Sequence, residues 1–176
     1  RGLKQGKPFA LMEQTPSVTN WLPYNMLKRP GVMRLWSYQA VAHGADTVMF
    51  FQMKRSIGAC EKYHGAVIDH AGHENTRVFR EVAELGAELD SLGAQTLGAR
   101  SDAHAAIVFD WDNWWGISYS AGPSVYLDYC REVERYYKAL FDLHIPVDMI
   151  GVEDDLSKYD LVIAPVLYMV KTGYDE

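Results

Sequence analysis

Cysteine, long apolar runs and positive charge are all scarce in this sequence. Cys60 and Cys130 are the two cysteines among 176 residues, and so few exclude both a disulfide framework and a cysteine-rich zinc motif. A reducing compartment is the simplest inference from this usage, and we therefore expect a cytoplasmic protein.

The lack of apolar runs and of basic residues excludes further classes. No run approaches the roughly 20 residues of a membrane-spanning helix, and no signal-peptide pattern is visible. Phosphate backbones are bound by clustered Lys and Arg, whereas this chain carries a net charge of -6. We expect neither a membrane nor a nucleic acid as partner.

Apolar and aromatic residues are present in ordinary amounts. With 48% hydrophobic and 12% aromatic residues, the sequence can build a core. It begins with Arg1 and ends shortly after a strand-like run. We therefore expect an internal piece of a longer enzyme.

The first half organises around a short apolar run that ends at Glu13. The run from Pro8 to Met12 is apolar on both faces, which is typical of a parallel strand covered on both sides. A polar loop broken by Pro16 and Pro23 follows. Sheets of this kind place their chemistry at the carboxyl ends of strands. Glu13 is then either a pocket carboxylate or a solvated residue that ends a surface strand.

The following residues alternate helical and strand patterns. A helix is predicted from Pro30 with Gly44 as its cap, then a buried strand over 47–51, an irregular segment over 53–72, and a helix over 78–92 closed by Gly93. Strands are also predicted over 105–109, 146–150 and 161–167, with a long helix over 123–143. The second half therefore predicts a parallel, doubly wound sheet. We expect boundaries at 1–93, 94–101 (a linker) and 102–176.

Several polar and aromatic residues could bind a ligand. Trp21 could stack on the apolar face of a sugar ring or anchor its loop in the core. Phe51 could form an aromatic wall or pack in the core. Glu61 and His64, three residues apart, could converge on one ligand from a single turn. They could also belong to a metal site, which would need further carboxylates, or be solvated.

Two further clusters contain residue types that can bind metal or phosphate. The first cluster comprises His64, Asp69, His70, His73 and Glu74. It fits no recognised ligand spacing, and we expect no metal and no cofactor. Asp110 and Asp112 follow a strand, but no partner residue and no glycine-rich phosphate loop is apparent. The tryptophans around them indicate a protein interface instead.

Four segments carry a resemblance to a known family: 11–24, 29–36, 42–46 and 60–65. The first three resemble the nucleophile region of family-42 glycoside hydrolases, the β-galactosidases, and the fourth resembles the segment after the last barrel strand in which that family carries Glu and His at the same spacing. The resemblance implies that Glu13 is the catalytic nucleophile. It also implies that four residues contact the galactosyl unit: Trp21, Phe51, Glu61 and His64. The implied fold is the C-terminal part of a (β/α)8 TIM barrel, strands seven and eight. A truncated, glutamine-amidotransferase-like trimerisation domain follows it.

The implied reaction is retaining hydrolysis of terminal non-reducing β-D-galactosides through a galactosyl-enzyme intermediate on Glu13. The family's acid/base is a glutamate preceded by asparagine, and no Asn-Glu pair occurs in this sequence. We therefore expect the acid/base outside this chain, an inactive fragment, and a homotrimeric parent enzyme. The alternative is a non-catalytic sugar-binding or oligomerisation module in which Glu13 only accepts a hydrogen bond.

Overall fold

The computed structural model describes residues 7–99 and 102–174. They form two compact units, which we call the first unit (Pro8–Ala99) and the second unit (residues 102–174). Each unit holds a parallel sheet together with helices, which confirms the expected mixed α/β class.

The first unit is a strand–helix–strand unit followed by a loop and a long helix. Its elements are β1 (Phe9–Gln14), α1 (Val32–Ala42), β2 (Ala45–Phe50) and α2 (Arg77–Thr96), with a short 3₁₀ turn at Cys60–Tyr63. β1 and β2 pair in parallel, and α1 is the crossover between them. Because parallel strands point the same way, the loops that follow β1 and β2 meet at one edge of the sheet.

Glycines mark the ends of the helices. Gly31 caps the start of α1 at φ +81°, and Gly44 follows its end at φ +94°, positions that glycine adopts without a Cβ clash. The prediction that Gly93 closes α2 is wrong. The Gly93 carbonyl accepts from the Leu97 amide at 2.9 Å, and α2 runs on to Thr96. Gly98, at φ +72°, is the left-handed residue after it.

β1 is not covered on both sides by the residues that the structure describes. Ala10 and Met12 are exposed, and Phe9 and Leu11 are only half-buried. The pairing with β2 covers one edge of β1 and neither of its faces, so full coverage of this strand stays a prediction.

The second unit is a three-stranded parallel sheet with a fully buried central strand. Its elements are β3 (Ala105–Val108), α3 (Trp111–Tyr119), α4 (Tyr129–Asp142), β4 (Val147–Ile150) and β5 (Leu161–Ile163), and the strand order is β4-β3-β5. Tyr129, Val133 and Leu140 of α4 pack against one face of β3. Val152 and Tyr159 pack against the other face.

Two expectations for the second unit are corrected, and the doubly wound arrangement stays a prediction. The helix predicted over 123–143 begins only at Tyr129, where the Asp128 carboxylate caps the Arg131 amide at 3.1 Å, and an unpredicted helix, α3, precedes it. The last strand ends at Ile163, not at residue 167. Both helices pack on the same face of β3, so the described residues do not show the helices on two faces that a doubly wound sheet requires.

Candidate active site

Glu13 is the next-to-last residue of β1, one position earlier than a strand end. Leu11 pairs with Val48 and Gln14 pairs with Phe50. Between these two pairs β1 advances by three residues and β2 by two, which is a shift in register. Such irregularities re-aim side chains at the rims of sheets. The Glu13 side chain is exposed and makes no hydrogen bond or ion pair with any described residue. Its carboxylate is therefore available to a ligand.

Gln14 fixes the strand directly beyond Glu13. Its side chain is buried and donates to the Ser37 hydroxyl of α1 at 2.6 Å. That hydroxyl donates in turn to the Met33 carbonyl at 2.9 Å. The backbone next to Glu13 is thereby held against α1, although the Glu13 side chain itself is free.

Glu13 and Trp21 line the same cavity. The cavity has a volume of about 710 Å³ and its wall is largely apolar. Trp21 is 67% exposed, so its indole is not a core anchor in the described part of the chain. The remaining apolar lining includes Leu22, Tyr24, Met26 and Trp36. A carboxylate and an open indole face therefore share one apolar space.

Phe51 and His64 form a pair at the neighbouring loop. Phe51 directly follows β2, and its ring meets the His64 ring edge-on at 5.0 Å between centroids. His64 is only 1% exposed. Its Nδ1 lies 2.9 Å from the Gly65 carbonyl, which can only accept, so Nδ1 carries the proton in the neutral ring. Nε2 then accepts from the Thr15 hydroxyl at 3.4 Å.

The loop after β1 is tied to the segment that carries Glu61 and His64. The Gly65 amide donates to the Val18 carbonyl at 2.7 Å, and a Cβ on Gly65 would come within 2.0 Å of the Ser17 hydroxyl. Only glycine allows this approach. The Asn20 side chain donates to the Cys60 carbonyl and to the Glu61 carboxylate. Glu61 and His64 are thereby brought next to the loop that links Glu13 and Trp21.

Lys28 holds the same loop at Thr15. Its ammonium donates to the Thr15 carbonyl and lies 4.7 Å from the centroid of the Trp36 ring. Burial lowers the pKa of Lys28 below its ordinary value. Sequence reasoning missed four residues of this site: Gln14, Thr15, Asn20 and Lys28. Their hydrogen-bond partners are 13 to 49 residues away, and no local sequence pattern predicts such contacts.

The histidine-rich loop does not assemble a metal site. Asp69 pairs with Arg55 at 2.9 Å, and His70 Nε2 contacts the Ser56 carbonyl at 2.7 Å. Residues 7–99 and 102–174 contain no group of three or more ligand side chains that could hold an ion. The same ranges contain no helix long and apolar enough to cross a membrane.

Asp110 and Asp112 are paired with a lysine that sequence reasoning did not find. Lys171 Nζ lies 3.2 Å from Asp110 and 3.0 Å from Asp112. Asp110 also caps α3 by accepting from the Asn113 amide at 3.0 Å. The two aspartates therefore have structural partners.

Both units match known protein families. Residues 1–92 match the family model described as beta-galactosidase in glycoside hydrolase family 42, and residues 103–176 match its beta-galactosidase trimerisation domain. Beta-galactosidase BgaA of Planococcus sp. (strain 'SOS Orange') is 70% identical over 99% of this chain. The chain spans 26% of that relative's length.

Solved structures give the same result. The beta-galactosidase of Bacillus circulans sp. alkalophilus is 68% identical, with a TM-score of 0.96 over 99% of this chain and 26% of its own. A catalytic glutamate-to-alanine mutant of Gan42B, a family-42 beta-galactosidase from G. stearothermophilus, is 40% identical, with a TM-score of 0.92. The match covers 98% of this chain and 26% of that protein.

Proposed function

The chain belongs to glycoside hydrolase family 42, the beta-galactosidases, and from that premise we propose that it is part of a retaining β-galactosidase with Glu13 as its nucleophile. The observation that carries the proposal is the environment of Glu13. Its exposed carboxylate has no protein partner among the described residues and lines the cavity that Trp21 also lines. The similar solved structure of Gan42B is described as a catalytic mutant in which alanine replaces a glutamate.

The proposed reaction proceeds in two displacements. The Glu13 carboxylate attacks the anomeric carbon of a terminal β-D-galactoside and forms an ester while the glycosidic bond breaks. A second carboxylic acid protonates the leaving oxygen, and then acts as base for the water that cleaves the ester. Retaining enzymes hold these two groups about 5–5.5 Å apart. With no Asn-Glu pair in the sequence, we assign the second group to residues outside this chain and expect the chain alone to be inactive.

Four residues are proposed to bind the galactosyl unit. Trp21 stacks on the apolar face of the ring, and Phe51 forms a second aromatic wall. Glu61 accepts from a sugar hydroxyl. His64 is buried, and both of its ring nitrogens already have partners. It reaches the sugar by exchanging its long, 3.4 Å contact with Thr15 for one to a hydroxyl.

The two units are proposed to belong to two domains. β1 and β2 would be strands seven and eight of a (β/α)8 barrel within residues 1–93. After a linker at 94–101, residues 102–176 would begin a glutamine-amidotransferase-like domain that assembles a homotrimer. Cys60 and Cys130 are free thiols, and we propose the cytoplasm as the compartment of the parent enzyme.

A mechanism-based inhibitor tests the proposal on the full-length enzyme. A 2-deoxy-2-fluoro-β-galactoside with a good leaving group should inactivate it and add one fluorogalactosyl unit to the peptide that contains Glu13. A non-catalytic sugar-binding module would bind the same compound without covalent labelling. Labelling of a different carboxylate would reject Glu13 as the nucleophile and retain the reaction class.

A further inference from the structure

Asn20 makes the contacts that fix the orientation of Glu61. Its side-chain nitrogen lies 2.6 Å from the Cys60 carbonyl oxygen and 3.2 Å from Glu61 Oε2. A carbonyl and an ionised carboxylate both only accept hydrogen bonds. The amide nitrogen, not the amide oxygen, must therefore face them, and each of its two hydrogens has its own acceptor.

This arrangement leaves half of the Glu61 carboxylate free. Oε2 is bound by Asn20, whereas Oε1 has no hydrogen-bond partner among residues 7–99 and 102–174. Asn20 is also the one described residue whose side chain bonds to that of Glu61. The turn at Cys60–Tyr63 lies in an otherwise irregular segment, so the Asn20 bonds restrict both the turn and the carboxylate.

Asn20 also connects two parts of the proposed sugar site. It immediately precedes Trp21 and belongs to the loop that starts after β1. One amide group therefore links the backbone next to the indole with the carboxylate of Glu61. Holding the Glu61 carboxylate in place before a sugar arrives reduces the entropy that is lost on binding.

We propose that Asn20 is a positioning residue for galactosyl recognition, holding Glu61 so that its free oxygen meets a sugar hydroxyl. The proposal rests on the proposed function, because it requires that Glu61 binds the sugar. Asn20 acts through Glu61, which predicts that its contribution disappears when Glu61 is absent.

A double-mutant cycle in the full-length enzyme tests this dependence. Asn20→Ala should lower kcat/KM for a β-galactoside about tenfold, as expected for a lost bond to a charged group. In a Glu61→Ala background the same change should cost less than about twofold. Asn20→Asp keeps the side-chain size but sets a second carboxylate beside Glu61. It should cost more than Asn20→Ala alone, and that excess should also disappear in the Glu61→Ala background.

Asn25 provides the matched control. It accepts from the Leu22 amide at 3.1 Å and donates to the Leu22 carbonyl at 3.0 Å, so it shapes the same loop without reaching Glu61. Asn25→Ala should cost the same in both backgrounds. An equal cost of Asn20→Ala with and without Glu61 would overturn the positioning role while the reaction stands. A wild-type enzyme that hydrolyses no β-galactoside would overturn the proposed function and this inference together.

Discussion

Glu13 and Asp110 are two carboxylates placed where strands end, one in each unit, and their surroundings are opposite. Glu13 is exposed and has no partner among the described residues. Asp110 is 5% exposed, caps α3 and pairs with Lys171. A carboxylate after a strand is therefore not in itself a sign of chemistry. What distinguishes the two is whether hydrogen bonds and counter-charges already occupy the oxygens.

The strands that carry them differ in the same way. All four residues of β3 are buried, and apolar side chains cover both faces. In β1, Gln14 alone is buried, and the exposed Met12 and Glu13 precede it. The aspartate after a strand that is covered on both faces can be buried as a helix cap. The carboxylate on a strand with an exposed face stays accessible to water or to a ligand.

Removing the charge of Glu13 should give the largest effect. Glu13→Gln keeps the volume but removes the proposed nucleophile, and kcat of the full-length enzyme should fall at least about a thousandfold, or roughly 4 kcal/mol. The thermal midpoint should not fall, because the wild-type carboxylate makes no bond to the described residues. The control is Glu84→Gln, another exposed glutamate, on α2, which should keep full activity. A kcat of Glu13→Gln within about tenfold of the wild-type value would reject the assignment of Glu13 as the nucleophile.

Glu61 and His64 repeat the contrast within one site. Glu61→Ala should lower kcat/KM about 10- to 100-fold with little change in thermal midpoint, since the side chain is only half-buried. His64→Ala should lower activity and also destabilise the fold by about 2–3 kcal/mol, because the ring is buried against Phe51.

The measurement for this pair is steady-state kinetics alongside calorimetry of each variant. A substrate analogue that lacks the hydroxyl these residues are proposed to bind makes the test sharper. Wild type should discriminate strongly against the analogue, and each variant much less. Undiminished discrimination in both variants would contradict the sugar-contact roles.

Asp110→Ala should act on stability alone. It removes a helix cap worth about 1 kcal/mol and leaves Lys171 with Asp112 as its remaining partner, for a total of about 2 kcal/mol. Chemical denaturation of the full-length enzyme should show this loss, whereas kcat per folded molecule should stay at the wild-type value. A comparable loss of kcat would mean that the second unit contributes to catalysis.

The sequence predicted the strands and the crossover helix α1 well, because each depends on local signals. Apolar runs mark β1, β2, β3 and β4, and Gly44 marks the end of α1. The extent of α2 was less predictable, since Gly93 looks like a stop signal but lies inside the helix. Helix propensity is a weak signal that packing overrides.

The helix at the start of the second unit was not predicted, although Asp110 followed by Asn113 has the pattern of a helix start. The protein interface expected at the tryptophans of this helix stays a prediction. The Asn113 side chain also binds the backbone of Val166, Tyr168 and Met169, in the loop beyond the end of β5. These partners are more than 50 residues distant, beyond the reach of any local pattern.

Family resemblance identified the candidate site residues, but it did not predict the hydrogen bonds that hold them. Spacing indicated that Glu61 and His64 could act together, but the structure places them differently, with His64 buried and Glu61 half-buried. The bond from Asn20 to Glu61 spans 41 residues, and it forms because two loops meet at one edge of the parallel sheet.

Lys171 should give the smallest effect and the one that depends most on pH. Hydrogen bonds with Asp112 and then Asp110 raise the pKa of Lys171 above its ordinary value of 10.5. A raised pKa means that the folded state favours the protonated form, so the stabilisation is fully present below pH 10.5. It is lost as the pH rises through the folded-state pKa.

Lys171→Met should therefore be slightly less stable than wild type at neutral pH, and the difference in stability should close in alkaline solution. Lys171→Arg is the control, because a guanidinium does not titrate in this range and its advantage over Lys171→Met should persist. Denaturation midpoints of the three proteins across this pH range measure this difference. A difference that stays constant through the titration of Lys171 would show that its charge does not stabilise the fold.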